Sequence, residues 1–136
     1  MTVQYSTTVR NAVLDAWETT IGTAAIIEIR TGAQPANCGA ASTGTLLATY
    51  TLASDWAAAA SGGSKSLANL PITTTAVATG TAAHYRLFAS DGTTCHDQGS
   101  VTATGGGGDM TIDNASIVAD QTVNITSFTK STPGWA

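Results

Sequence analysis

The sequence predicts a mainly β fold, an antiparallel β-sandwich or jelly-roll of about seven short strands with one N-terminal α-helix. Three observations predict this class. Several short segments alternate apolar with polar residues, as strands with one buried face do. Turn residues, glycine above all, separate these segments. Helical spacing of apolar residues occurs clearly only near the N-terminus, before Gly22.

The chain has 136 residues, enough for one hydrophobic core and too few for two ordinary domains. We therefore expect a single domain over residues 1–136. Within it we expect an N-terminal arm and helix in residues 1–22, a β-sandwich in residues 23–130 and a short tail in residues 131–136.

Residues 7–20 are predicted to form the helix. Ser6 is a suitable N-cap, and Gly22 is suited to ending the helix. Residues at positions i, i+3, i+4, i+7, i+8 and i+11 lie on one helix face. The apolar face consists of Val9, Ala12, Val13, Ala16, Trp17 and Thr20. We expect Trp17 to lie in the core, and the helix either packs across one open end of the sandwich or reaches a neighbouring protein.

Two strands are predicted next, in residues 24–30 and 45–53. The first places Ala25, Ile27 and Ile29 on one side, as expected for a half-buried strand. The intervening residues 31–44 form a long loop, and loops of this length are often binding elements. The stretch AAAASGGS in residues 57–64 fits either a helical turn or a loop.

The segment AHYRLFASDGTTCHDQGSV gives the strongest local signal, a hairpin. Asp91-Gly92 is a preferred pair for a two-residue turn in which both positions have positive φ. This register places Arg86 opposite Asp97 and Phe88 opposite Cys95, which are favourable cross-strand pairs.

A second hairpin is predicted through the glycine run 105–108, joining residues 101–103 to residues 110–112. The last strand is predicted in residues 122–129. Its alternation slips after Ile125, because Phe128 falls on the polar side. Either the strand ends near Thr126, or a bulge turns Phe128 back towards the core.

The amino-acid composition restricts the classes of molecule that the protein is expected to bind. The net charge is -4, and the five basic residues are scattered, so we expect no nucleic-acid binding. The sequence has neither an apolar run of membrane-spanning length nor an N-terminal export signal, so we expect no membrane association and a cytoplasmic product until cell lysis. Only 10% of residues are charged, which favours faces that contact other protein.

The residues also give no indication of catalysis, and we expect a non-enzymatic protein without catalytic, cofactor-binding or metal-binding residues. The predicted register places His84 opposite Gly99 and His96 on the other face, and neither has an identifiable nucleophile or carboxylate partner. Cys38 and Cys95 lack zinc spacing. Two free thiols are the favoured interpretation, and a disulfide formed after release is the alternative.

Four segments resemble small structural proteins encoded in the virion modules of tailed bacteriophages. They read TVRNAVLDAWETTIGTAAIIEIRTGAQPA, TGTLLATYTLASDW, ATGTAAHYRLFASDGTTCHDQGSV and DMTIDNASIVADQTVNITSFT. The resemblance implies a virion component made in the host bacterial cytoplasm. It favours a homo-oligomeric capsid cement or decoration protein that bridges major capsid protein subunits. The alternative is a tail or tail-fibre accessory that contacts tail proteins and presents loops to a receptor.

Overall fold

The structure, a computed structural model, describes residues 3–131 and is mainly β with one helix, as predicted. Within these residues the elements are α1 (Thr7–Ile21), β1 (Ile26–Arg30), β2 (Leu46–Thr51), β3 (Ser64–Ser66), β4 (Ile72–Thr75), β5 (Gly80–Thr81), β6 (His84–Phe88), β7 (Cys95–Ala103), β8 (Met110–Ile112), β9 (Ser116–Ile117) and β10 (Thr122–Ser131). The predicted C-terminal tail, including Trp135, lies outside the described residues from position 132 onwards.

The helix α1 begins and ends where its capping residues predict. The Ser6 side chain accepts a hydrogen bond from the Val9 N–H at 3.3 Å. At the other end the Gly22 N–H donates to the Glu18 carbonyl at 2.9 Å, with Gly22 at φ 90°. These contacts satisfy backbone groups that a helix end otherwise leaves unpaired.

Eight strands form one mixed sheet with the order β2-β1-β6-β7-β8-β10-β3, in which β4 also pairs with β10. The strands β5 and β9 form a separate pair. Neighbouring strands are antiparallel except for β7 and β8, which are parallel. The prediction of a wholly antiparallel arrangement is therefore wrong, and the sheet does not divide clearly into a sandwich or jelly-roll.

The sheet curls into half of a barrel, because the two ends of the strand order approach each other. The Tyr50 hydroxyl on β2 donates to the Val123 carbonyl on β10 at 2.9 Å. The Thr74 hydroxyl on β4 donates to the Thr49 carbonyl on β2, also at 2.9 Å. The concave side encloses the core, to which Trp56 contributes one of the largest fully buried side chains.

Two strand predictions are confirmed in detail. On β1 the predicted face is buried, with Ala25, Ile27 and Ile29 fully inaccessible to solvent. On β10 the register against β8 shifts between Ile125 and Ser127, so of the two predicted alternatives the bulge is confirmed and a strand end near Thr126 is wrong. The extra residue turns Phe128 into the core, so that the strand continues through Ser131.

The β6–β7 hairpin is present, but its predicted register is only partly correct. Phe88 lies opposite Cys95 as predicted, whereas a shift after Leu87 pairs Arg86 with Gln98 and not with Asp97. The same shift places His84 opposite Ser100.

The turn of this hairpin is longer than predicted, because Ala89 and Thr94 close a loop of four residues. Gly92 has the left-handed φ of 70°. Asp91 does not share that conformation, and its carboxylate instead accepts hydrogen bonds from the backbone N–H groups of Thr93 and Thr94.

The second predicted hairpin is wrong, since β8 runs parallel to β7 and pairs Val101 with Met110. The glycine run makes this short connection fold back over Thr102. A Cβ atom on Gly106 would lie 2.7 Å from the Thr102 side chain, and one on Gly108 would lie 2.9 Å from the Thr102 backbone nitrogen. Gly105 and Gly107 adopt the left-handed φ that a turn requires, whereas Gly106 and Gly108 permit the close approach to Thr102.

The stretch 57–63 contains no helix, and an isolated bridge between Ser61 and Ser64 leads it into β3. Trp56, just before it, is 2% exposed, and its indole N–H donates to the Gly22 carbonyl at 2.8 Å. The buried apolar side chains of the sheet and of this segment belong to one cluster.

Candidate functional site

The helix α1 places an apolar stripe on the outside of the molecule. Val9 is 44% exposed and Val13 is 51% exposed, and the arm before them exposes Val3 and Tyr5. We define the α1 stripe as the exposed helix residues Val9, Ala12, Val13, Ala16 and Thr20. Of the predicted apolar face, Trp17 is partly buried against the core, as expected, and the residues of the α1 stripe are exposed.

The opposite side of α1 packs on the sheet through an ionic contact centred on Lys65 of β3. The Lys65 ammonium lies 2.7 Å from an Asp15 oxygen and 2.7 Å from a Glu18 oxygen. It also donates to the Ala58 carbonyl at 2.9 Å. Its side chain is 1% exposed, so the two carboxylates of α1 supply the countercharge that a buried ammonium needs.

These contacts shift the pKa values of the charged partners. Burial alone would lower the pKa of Lys65, but the hydrogen bonds and charges of Asp15 and Glu18 raise it above its ordinary value. The pKa of Asp15 is lowered, first by the hydrogen bond from Lys65 and second by the Ala60 N–H. Both shifts favour the ionised pair, which fixes the charged side of the helix against the sheet.

A second polar contact joins α1 to the hairpin and to β10. The Trp17 indole N–H donates to Asp97 at 3.0 Å, and the Lys130 ammonium lies 2.8 Å from the same carboxylate oxygen. The Tyr85 hydroxyl donates to the other Asp97 oxygen at 3.0 Å and accepts from Lys130 at 2.8 Å. Burial, and then the Asp97 charge, raise the pKa of Tyr85, which keeps the phenol protonated.

Aromatic rings surround this ion pair. The Lys130 ammonium lies 5.2 Å from the Phe128 ring centroid and 5.5 Å from that of Tyr85, within the range of cation–π attraction. Trp17 packs edge-on against Trp56, with centroids 5.2 Å apart. Polar and aromatic contacts on one side of α1 thus determine its rotation and leave the α1 stripe facing outward.

The loop 31–44 is the other element laid against the sheet. Arg86, which is 2% exposed, donates to the Ser42 hydroxyl at 2.8 Å and to the Cys38 carbonyl at 2.9 Å. The Gln98 amide donates to the Pro35 carbonyl at 2.7 Å. Arg86 of β6 and Gln98 of β7, which are paired across the two strands, therefore hold the middle of the loop.

Three buried side-chain atoms beneath this loop have no hydrogen-bond partner within the described part of the chain. They are His84 Nε2, Arg86 Nε and Gln98 Oε1. Beside them a cleft of about 480 Å³ is lined by loop residues, the hairpin turn, and charged side chains that include Glu28 and Arg30. The loop is thus anchored, but its polar contacts are incomplete, unlike those of α1.

The two cysteines, for which free thiols are the favoured prediction and a disulfide the alternative, are brought close together here. Cys38 lies on the loop and Cys95 at the start of β7, where the Cys95 thiol donates to the Asp97 carbonyl at 3.4 Å. Both are half-buried and unoxidised. Sequence separation hid this contact, since nothing local relates residues so far apart.

The two histidines lie in unrelated environments. His84 is buried, with its Nδ1 atom 2.8 Å from the Gly32 carbonyl oxygen, which is a structural contact to loop 31–44. His96 is exposed. Within residues 3–131 no three His, Cys, Asp or Glu side chains are grouped as metal ligands would be.

Sequence reasoning also missed the residues that orient α1. Asp15 and Glu18 were readable as a pair of carboxylates three apart on one helix face. Their partner Lys65 directly follows residues 57–64, a stretch that fits either a helical turn or a loop. The predicted hairpin register pairs Asp97 with Arg86 and not with a residue of α1 or β10. No signal in either segment relates these residues to the helix.

Comparison of the chain with family models, curated proteins and solved structures gives no match. In the part of the chain that the structure describes, no helix has the length and apolarity required to cross a bilayer.

Proposed function

We propose that the protein is a non-catalytic bacteriophage virion component, a capsid cement or decoration protein that oligomerises and bridges major capsid protein subunits. The observation that carries the proposal is the outward orientation of the α1 stripe. An amphipathic helix ordinarily turns its apolar face to its own core. Here α1 buries Leu14 and Ile21 on the side that also carries Asp15 and Glu18, and the α1 stripe forms a further apolar surface that remains available to a neighbouring protein.

The chemistry of the surface supports a protein partner. Val9 and Val13 lie one helical turn apart, and Val3 and Tyr5 extend the exposed apolar surface along the arm. Ala12 and Ala16 keep the stripe flat enough for another backbone to approach closely. Each such contact is small, but a capsid lattice repeats it many times, and repetition converts modest contacts into strong attachment.

A tail or tail-fibre accessory is the second candidate. The feature that favours it is the loop 31–44 with its adjoining cleft, because incompletely partnered polar groups on a rigid sheet are suited to contacting a receptor. In this case the protein would occur at the tail in a small number of copies.

The first test measures binding of the purified chain to shells of the virus that encodes it, by co-sedimentation. The double variant Val9→Asp, Val13→Asp places two charges in the stripe and should weaken attachment about tenfold or more, since burial of each valine contributes roughly 1.5 kcal/mol or more. The matched control is Val77→Asp, Val118→Asp, which charges two valines that are more exposed than Val9 and Val13 and lie outside α1. The control should bind as the parent chain does.

Counting copies in purified particles separates the two candidates. A copy number that scales with the number of capsid subunits supports the cement protein, and a few copies at the tail support the accessory. A chain that remains monomeric and attaches to neither shells nor tails would overturn both candidates. Equal binding by the two double variants would overturn the role of the α1 stripe.

A further inference from the structure

Cys38 and Cys95 lie close together on one side of the sheet, although they belong to different parts of the chain. Neither is a lone surface cysteine, since both are half-buried and each is positioned by backbone contacts. Their juxtaposition is a property of the tertiary structure that the proposed function does not use.

The surrounding contacts hold the two residues in place. Arg86 donates to the carbonyl of Cys38 itself at 2.9 Å, and it also binds Ser42 further along the loop. On the other side of Cys38, the Pro35 carbonyl accepts from Gln98. Cys95 is fixed by its pairing with Phe88 on β6, two residues from Arg86. Arg86 and Phe88 lie on the same face of β6, so these contacts place both cysteines on one side of the sheet.

We propose that Cys38 and Cys95 form an intramolecular disulfide when the protein meets a low-molecular-weight disulfide such as oxidised glutathione, as it does on leaving a reducing cytoplasm. The proposal is independent of the virion role.

The reaction proceeds by two exchanges. One protein thiol loses its proton, and its sulfur attacks a sulfur of glutathione disulfide. A mixed disulfide forms, and one glutathione leaves and takes up a proton. The second protein thiol then loses its proton and displaces the second glutathione. The two protein thiols are oxidised by two electrons, and the glutathione disulfide is reduced to two thiols.

The environment of Cys38 makes this exchange slow at neutral pH. Burial, and then the adjacent Cys95, raise the pKa of Cys38 to about 11, with Asp97 acting in the same direction and Arg86 against it. Only the thiolate attacks a disulfide, so the rate should increase as the pH rises from 7 to 9. The reduced state is thereby preserved during synthesis, and the oxidised state accumulates later.

The disulfide would tie loop 31–44 to β7 at the point where three polar atoms lack partners. A cross-link between residues this far apart in sequence removes many conformations from the unfolded chain. We therefore expect the melting temperature of the oxidised protein to exceed that of the reduced protein by about 10 °C.

The test uses the whole chain, purified in reductant, transferred to oxidised glutathione at pH 8.5, and then alkylated and digested with trypsin. Cleavage at Arg30, Lys65, Arg86 and Lys130 places Cys38 in peptide 31–65 and Cys95 in peptide 87–130. The expected result is an unalkylated protein 2 Da lighter than the reduced form, in which these two peptides are linked until reductant is added.

Cys38→Ser and Cys95→Ser serve as matched controls. Each should keep the melting temperature of the reduced parent within about 2 °C, and each should show no increase on oxidation. Two alkylated cysteines after prolonged exposure to the oxidant would overturn the proposal. A linkage found only between separate chains, or an equal temperature increase in a single-cysteine variant, would overturn it as well.

Discussion

The helix α1 and the loop 31–44 both lie against the sheet, but they are attached by different chemistry. The helix is attached through ion pairs, with Lys65 between Asp15 and Glu18 and with Lys130 beside Asp97. The loop is attached through Arg86, whose hydrogen-bond acceptors in the described chain are neutral oxygens of Ser42 and Cys38.

This difference separates a rigid element from an adaptable one. Lys65, which is 1% exposed, has Asp15 and Glu18 of α1 as its countercharges, so undocking the helix would leave a buried ammonium unpaired. Beneath the loop, polar atoms of His84, Arg86 and Gln98 have no partner among residues 3–131, so a modest rearrangement of the loop would lose little. We expect the helix to present a fixed surface and the loop to adjust.

The largest effect is expected for Lys65→Ala. The change removes a side chain that is 1% exposed and leaves Glu18 and the half-exposed Asp15 without their cation. Loss of the buried aliphatic stem should lower the free energy of unfolding by about 3 kcal/mol. Urea denaturation measures the loss. The matched variant is Lys130→Ala, whose side chain is 25% exposed, and it should cost less. Equal costs for the two variants would mean that burial of the ion pair does not determine helix attachment.

Gly92→Val should have the next largest effect. Gly92 has φ 70°, which a β-branched residue resists, so we expect a loss of about 2 kcal/mol. The matched change is Gly62→Val, because Gly62 has φ 60° in open space outside the hairpin. Thermal melting gives the melting temperature of each variant. An unchanged melting temperature for Gly92→Val would contradict the left-handed conformation of Gly92 in the turn.

Arg86→Met should change the free energy of unfolding of the whole protein only slightly, but it should clearly increase amide hydrogen exchange in the loop 31–44. Arg86 is a buried cation whose acceptors are neutral oxygens, so removing its charge recovers a desolvation cost that offsets the two lost hydrogen bonds. The free energy of unfolding should therefore change by less than about 1 kcal/mol. The loop loses its hydrogen bonds to Arg86, and amide hydrogen exchange in residues 31–44 should become about tenfold faster. Exchange that stays slow would show that the loop is held as firmly as α1.

The smallest effect is expected from pH, and it should act on the helix. The lowered pKa of Asp15 means that its stabilisation is present above its ordinary value of 3.8 and is lost as the pH falls through the folded-state pKa. The raised pKa of Lys65 means that its stabilisation is present below 10.5 and is lost as the pH rises through the folded-state value. Stability should therefore be highest between these limits, and Lys65→Ala should flatten both flanks of the unfolding profile.

Much of the candidate site was beyond prediction, since its contacts join segments that are remote in sequence. The residues of the α1 stripe were identified as one apolar face, and their membership is correct apart from Trp17. Their outward orientation was not predictable. Periodicity shows that a helix has an apolar face, but it does not show whether that face meets the protein's own core or another molecule.

The sequence by itself determined the features that depend on neighbouring residues. Ser6 and Gly22 determine where α1 begins and ends, and the alternation of apolar and polar residues determines the buried face of β1. The break in this alternation at Phe128 indicates the bulge in β10. Only the tertiary structure decided the rotation of α1, the parallel direction of β8 and the meeting of Cys38 with Cys95. The physical reason is the sequence separation of the interacting residues. Helix caps, strand alternation and bulges depend on residues that are close together in the sequence. Ion pairs, strand order and thiol contacts depend on how distant segments pack.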